Sequence, residues 1–188
     1  MVVHMSQKWN NEDCEIILRL IRGEIHLREL SKEIGIPSST LSRKLYSLRQ
    51  KLVIDYKSEG KNNVYFIKKN LISQKLVIMA ENYKFIKTLT KYSILMPLLQ
   101  DVVKKSEPNM VILFGSYAKG LSKEDSDIDI YINTKDVKLK KKIEQISDLI
   151  SVKIGLFNPE DLLIKEIIKN HVIIRGAEEY YDKIKFFE

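Results

Sequence analysis

The sequence predicts an α+β chain in two parts: a basic, helix-rich head closed by a two-stranded hairpin, then a long joining helix and a mixed sheet flanked by helices. Three observations carry this. Leucines recur at helical spacing on both sides of a Gly-Ile-Pro turn and lead into two alternating strands around Gly60. At residues 111–132 an apolar strand, a Gly-Ser break and an alternating Asp-Ile-Asp strand stand close together. The formal charge of +7 is uneven: Lys and Arg outnumber Asp and Glu by 13 to 8 over residues 1–70 and by 6 to 3 over 71–108, but stand 13 to 14 over 109–188. A basic front joined to a near-neutral rear fits a polyanion-binding head on a domain with other work.

Residues 1–10 read as a loose arm ending at Trp9. A first helix over 11–22 buries Ile16, Ile17, Leu20 and Ile21 and stops at Gly23. Leu27, Leu30 and Ile34 mark a short second helix, Gly35-Ile36-Pro37 turns the chain, and Ser38 or Ser39 caps a third helix with Leu41, Leu45, Leu48 and Leu52 inward. The outward side of that helix carries Thr40, Ser42, Arg43, Lys44, Tyr46, Ser47 and Arg49, polar and basic groups suited to a major groove and its phosphates. Strands over 52–56 and 64–67 follow around the turn at 58–63, with Lys57 and Lys61 near the tip.

Residues 71–95 form a helix with a seam of Ile72, Leu76, Met79, Tyr83 and Ile86, short for a coiled coil but in position to pair two copies of the chain. Pro97 starts a helix over 98–105, and 106–109 turns into the next strand. Beyond residue 132 a helix over 134–150 turns Val137, Ile143, Ile146 and Leu149 inward and leaves Lys138 and Lys140 to Lys142 on a solvated face. A strand over 152–157 follows. Asn158 caps a helix reaching residue 170, with Pro159 first and Glu160-Asp161 set against the dipole. A short strand over 172–174 ends at Arg175-Gly176, and Tyr180, Tyr181, Phe186 and Phe187 seal either the domain's edge or a dimer contact.

The chemistry concentrates at residues 111–132. Gly115 lets the backbone approach a polyphosphate, and Ser116 adds a hydroxyl donor where Tyr117 and Ala118 open a helix. Asp127 and Asp129 alternate with Ile128, Ile130 and Ile132, so both carboxylates project from one face of a strand while the isoleucines enter a core. Carboxylates this close repel unless a cation sits between them, and magnesium suits hard oxygen ligands completed by substrate phosphates.

Phe114-Gly115-Ser116, the loop and Asp127-Ile128-Asp129 resemble the signature of the DNA polymerase beta-like nucleotidyltransferase superfamily, specifically its minimal archaeal and bacterial members. The resemblance runs to about residue 175. It implies that Gly115 and Ser116 bind a nucleoside triphosphate and that Asp127 and Asp129, metal ligands and catalytic groups, hold Mg2+ or Mn2+. Lys119 or Lys123 in the intervening loop is a candidate to neutralise phosphate charge, with a solvated loop lysine as the default reading. Members carry a third acid on a later strand, and alignment through Lys153-Ile154-Gly155-Leu156-Phe157-Asn158-Pro159-Glu160 puts Gly155 at that position. Transfer is therefore expected to be weak or lost, with the active enzyme, moving a nucleoside monophosphate to a hydroxyl of a protein, nucleic acid or small molecule, as the alternative. Residues 10–70 resemble the winged helix-turn-helix domain of prokaryotic regulators, which implies double-stranded DNA as partner and a homodimer.

These readings divide the chain into a winged helix-turn-helix at 1–70, a linker helix at 71–96 and a nucleotidyltransferase-like mixed sheet flanked by helices at 97–188. A single cysteine, Cys14, excludes an intramolecular disulfide and favours the cytoplasm. No apolar run approaches the roughly 18 residues of a membrane span, and the first residues lack a signal-peptide core. His4, His26 and His171 lack metal-ligand spacing.

Overall fold

The computed structural model describes residues 9–123 and 125–188, so most of the arm expected at 1–10 lies outside the described residues. The chain is α+β and forms two compact units, the first ending at Tyr83 and the second running from Lys84 to Glu188.

The first unit is a winged helix-turn-helix. It comprises α1 (Asn11–Leu20), β1 (Ile25–His26), α2 (Leu27–Ile34), α3 (Ser38–Gln50), β2 (Ile54–Glu59) and β3 (Asn62–Ile67). Asn10 and Asp13 form a capping box that starts α1, and Gly35 at φ +69° ends α2. The hairpin closes through Gly60 and Lys61, Glu59 pairing with Asn62, and β1 adds to β3 in the order β1-β3-β2. Ile16, Ile17, Leu20, Leu30, Leu41, Leu45, Leu48, Val53 and Ile54 are buried.

Leu52 departs from the expected stripe. α3 ends at Gln50, Leu52 takes φ +61° and is 52% exposed, and Val53 enters the core in its place. The Leu52 carbonyl accepts from the Asn70 amide at 2.8 Å. The joining helix α4 (Leu71–Lys91) also corrects the sequence: Ser73, Val77 and Ala80 are its buried side, while Ile72 and Ile86 of the expected seam are exposed.

The second unit contains α5 (Leu95–Lys105), β4 (Val111–Leu113), α6 (Gly115–Lys119), β5 (Ile128–Asn133), α7 (Val137–Glu144), β6 (Ile150–Gly155), α8 (Leu162–Lys169), β7 (Val172–Arg175) and α9 (Ala177–Lys183). Pro97 sits inside the first turn of α5, where its missing N–H costs no helical bond. The sheet is mixed, in the order β6-β5-β4-β7: β5 and β6 are parallel, and β4 is antiparallel to both neighbours. Ile128, Ile130 and Ile132 pack on Leu95, Leu99, Val102 and Ile143.

α7 stops at Glu144 rather than near residue 150, and Val137 is exposed instead of inward. α8 starts at Leu162 with Asp161 at the N-cap, three residues after the expected cap at Asn158, whose side-chain oxygen accepts the Glu160 N–H at 3.2 Å in the turn before the helix. The aromatic tail seals its own unit: Tyr180 stacks edge-on with Phe157 at 5.6 Å, and Tyr181 with Phe186 at 5.5 Å. Arg175 clasps the edge strand by donating to the Asn109 carbonyl at 2.8 Å, the Val103 carbonyl at 2.9 Å and Ser106 Oγ at 2.9 Å. No helix among the described residues is long and apolar enough to cross a membrane.

Candidate functional site

β4 carries the chain to Phe114, whose N–H donates to the Asp129 carbonyl at 2.9 Å, so the turn is tied to β5 at the residue bearing the second carboxylate. Gly115 then adopts φ +69°, and a Cβ there would stand 2.0 Å from Asp129 Oδ2 and 2.9 Å from Cγ. Only glycine meets both demands. Ser116 opens the first turn of α6, and its Oγ is buried without a hydrogen-bond partner. An unpaired buried hydroxyl costs roughly 1–3 kcal/mol. The fold therefore carries, next to the glycine, a donor that a phosphate oxygen could satisfy.

Asp127 is exposed just before β5, and Asp129 is half-buried within it. Burial, then the charge of Asp127, raises the Asp129 carboxyl pKa above the ordinary range, while Lys153 and Lys119 pull it back down. An oxygen-only donor set of this kind fits magnesium or manganese better than zinc. Among the described residues, no group of three or more His, Cys, Asp and Glu side chains is arranged to hold a metal.

The register of the parallel strands corrects the position of the missing acid. Asp129 lies opposite Ser151, and Gly155 lies opposite Asn133, four residues or about 13 Å further along. β6 starts two residues earlier than its apolar pattern suggested, so the strand position beside the carboxylate pair belongs to Ser151. It still carries no acid. Lys153 follows on the same face and is exposed. Neither residue was singled out from the sequence, and only the pairing register could have found them.

Of the two loop lysines, Lys119 pairs with Glu166 of α8 at 2.9 Å, whereas Lys123 has an exposed side chain and donates its backbone N–H to Ser126 Oγ at 2.8 Å. Lys91 holds the exit of α6 by donating to the Gly120 carbonyl at 2.9 Å, and Tyr92 packs edge-on against Tyr117 at 5.0 Å.

On α3 and the hairpin the expected DNA-facing residues divide. Ser42, Arg43, Tyr46 and Ser47 are exposed on one side of α3, with Thr40 half-exposed, and Lys61 is exposed at the hairpin tip. Three cations are engaged elsewhere. Lys44 is paired with Glu12 at 2.8 Å and Asp13 at 3.4 Å, which joins α3 to the start of α1. Arg49 lies 3.2 Å from Asp55 and over the Tyr56 ring, and Lys57 pairs with Glu24 and Glu59.

A family described as "Polymerase beta, Nucleotidyltransferase" matches residues 98–179. A provisionally named protein adenylyltransferase of Methanocaldococcus jannaschii is 34% identical over 98 residues, which cover 50% of this chain and 94% of that protein. The chain belongs to the polymerase beta nucleotidyltransferase family. A second relative of the same organism, with the same provisional name, is 36% identical over 80 residues, covering 40% of this chain and 76% of its own. Among solved structures, the transcriptional repressor BigR from Xylella fastidiosa is 25% identical at a TM-score of 0.34, covering 36% of this chain and 66% of its own. The nucleotidyltransferase region contains Gly115, Ser116, Asp127, Asp129 and Ser151, and the winged unit lies wholly outside it.

Proposed function

We propose that the chain is a cytoplasmic DNA-binding regulator whose nucleotidyltransferase unit binds a nucleoside triphosphate with magnesium or manganese and transfers the nucleotide weakly or not at all. The observation that carries this reading is a ready cradle beside an incomplete acid set: Gly115 against Asp129, Ser116 with an unpartnered hydroxyl, and Ser151 at the neighbouring strand position. Asp127 and Asp129 hold the cation, and Ser116 with the backbone N–H groups of the turn donates to phosphate oxygens. A bound magnesium ion supplies charge neutralisation at the polyphosphate and Lewis acidity at the phosphorus. With Asp127 and Asp129 committed to the cation, no further acid among the described residues of β5 and β6 stands ready to take the proton of an attacking hydroxyl, which is why transfer is slow.

A second reading follows the provisional names of the relatives: a protein hydroxyl attacks the α-phosphorus of ATP and pyrophosphate leaves. In both readings Thr40, Ser42, Arg43, Tyr46, Ser47 and Lys61 meet duplex DNA, and α4 pairs two copies through Ile72 and its neighbours, offering two α3 helices to a two-fold site.

Calorimetric titration of the four ribonucleoside triphosphates with magnesium tests the nucleotide site. Wild type is expected to bind at least one of them, and the Asp127→Asn, Asp129→Asn double variant to lose that binding. Equal binding by both proteins removes the carboxylates from the site. Release of pyrophosphate from ATP at an undiminished rate when protein acceptors are supplied replaces the first reading by the second.

A further inference from the structure

β6 runs beside β5 with Asp129 opposite Ser151 and Tyr131 opposite Lys153. Paired residues on parallel strands share a face and lie about 4.8 Å apart. The wall next to the carboxylates is thus a half-buried hydroxyl, followed two residues on by an exposed ammonium. We propose that this wall makes the site a one-cation nucleotide clamp, in which Lys153 binds the polyphosphate directly and Ser151 leaves a second divalent ion without the ligand it would need. The inference rests on the nucleotide site proposed above and specifies its charge balance.

Two divalent ions a few ångströms apart require carboxylates enough to bridge and separate them. Here Asp127 and Asp129 carry two negative charges, which a single divalent ion neutralises. The positive charge of Lys153 then offsets part of the polyphosphate's own negative charge, where a second ion would otherwise do so. Lys153 stands on the same strand face as Ser151, two residues or about 7 Å further along, and a lysine stem of four carbons spans that distance. Lys119, at the end of the helix that Gly115 opens, is held by Glu166 at 2.9 Å. A lysine is a compact point charge on a flexible stem, suited to following a polyphosphate without fixed geometry. The Ser151 hydroxyl is a poorer metal ligand than a carboxylate but an adequate donor to a phosphate oxygen.

The test counts manganese ions per bound nucleotide on the full chain, by electron paramagnetic resonance with a saturating non-hydrolysable ATP analogue. Wild type is expected to hold one ion. Lys153→Met should weaken nucleotide affinity about tenfold or more, the loss of one charge-assisted phosphate contact, and Lys153→Arg should restore most of it. Ser151→Asp should raise the count to two. Two ions in wild type, or Lys153→Met binding as wild type does, overturns the one-cation clamp and leaves the nucleotide site standing. Absence of nucleotide binding by wild type overturns both. If Ser151→Asp fails to fold by circular dichroism, the wild-type count and the Lys153 pair decide the matter.

Discussion

On α3 and the hairpin, Lys44, Arg49 and Lys57 each meet carboxylates of their own unit, whereas at the start of β5 burial and then the neighbouring charge of Asp127 raise the cost of ionising Asp129. The first arrangement lowers free energy locally; the second raises it. Exposed ion pairs contribute about 0–1 kcal/mol each, so their presence is weak grounds for assigning either a structural or a binding role. A buried hydroxyl without a partner, a glycine pressed on a carboxylate and two neighbouring acids all work against stability, and the fold retains them. In the proposed function this cluster is where the nucleotide binds. The same criterion divides the basic face: Arg43 and Lys61 are exposed where a polyanion can reach them, while Lys44 belongs to the joint between α1 and α3.

The largest expected effect is at Gly115. Gly115→Ala adds a methyl group that meets the Asp129 carboxylate and forces an L-residue into a left-handed conformation costing about 1–2 kcal/mol. Nucleotide binding should disappear and the denaturation midpoint should fall; a variant that binds as wild type does would mean that the close approach to Asp129 has no part in the cradle. Next comes the basic face. Arg43→Ala and Lys61→Ala should each reduce the salt dependence of duplex binding by about one unit of slope. Lys44→Ala should leave that slope unchanged while lowering stability by about 1 kcal/mol through its half-buried pairs. If the three slopes change alike, the division between paired and free cations is wrong.

The smallest effect concerns Asp129 without ligand. Its folded pKa is raised, so the folded state binds its proton more tightly than the unfolded chain does. Stability therefore falls as pH rises from the ordinary carboxylate value through the raised one, and the penalty persists above it. Asp129→Asn should remove that penalty: thermal unfolding midpoints of wild type and variant should separate across this interval, with the variant the more stable at neutral pH. A variant less stable than wild type at neutral pH would show that Asp129 is held by interactions stronger than the cost of its burial and its repulsion from Asp127.

The Gly-Ser turn and the aspartates were legible in the sequence because isoleucines alternate with the acids and fix which way each side chain points. The position beside them was not. Ile150, Val152 and Ile154 alternate with Ser151 and Lys153, so a strand start at Ile150 or at Val152 fits equally well until β5 selects the register. Helical spacing likewise carried the leucine stripe to Leu52, although the chain had already left α3 at Gln50. The pairing of Lys44 with Glu12 joins residues of different helices, and no local pattern encodes it. On α4 the apolar seam was visible, but burial went to Val77, Ala80 and Ser73 on another side.

Arg175 has a consequence for the order of assembly. Its three acceptors precede it by 66, 72 and 69 residues, and closing loops of that length costs entropy before any contact compensates for it. β4 has β5 on one side and β7 on the other, so until β7 docks the strand leading into Gly115 is an unprotected edge. During synthesis the cradle therefore remains unfinished until β7 has emerged, and a chain stalled before Val172 would display the edge of β4 to any strand able to pair with it.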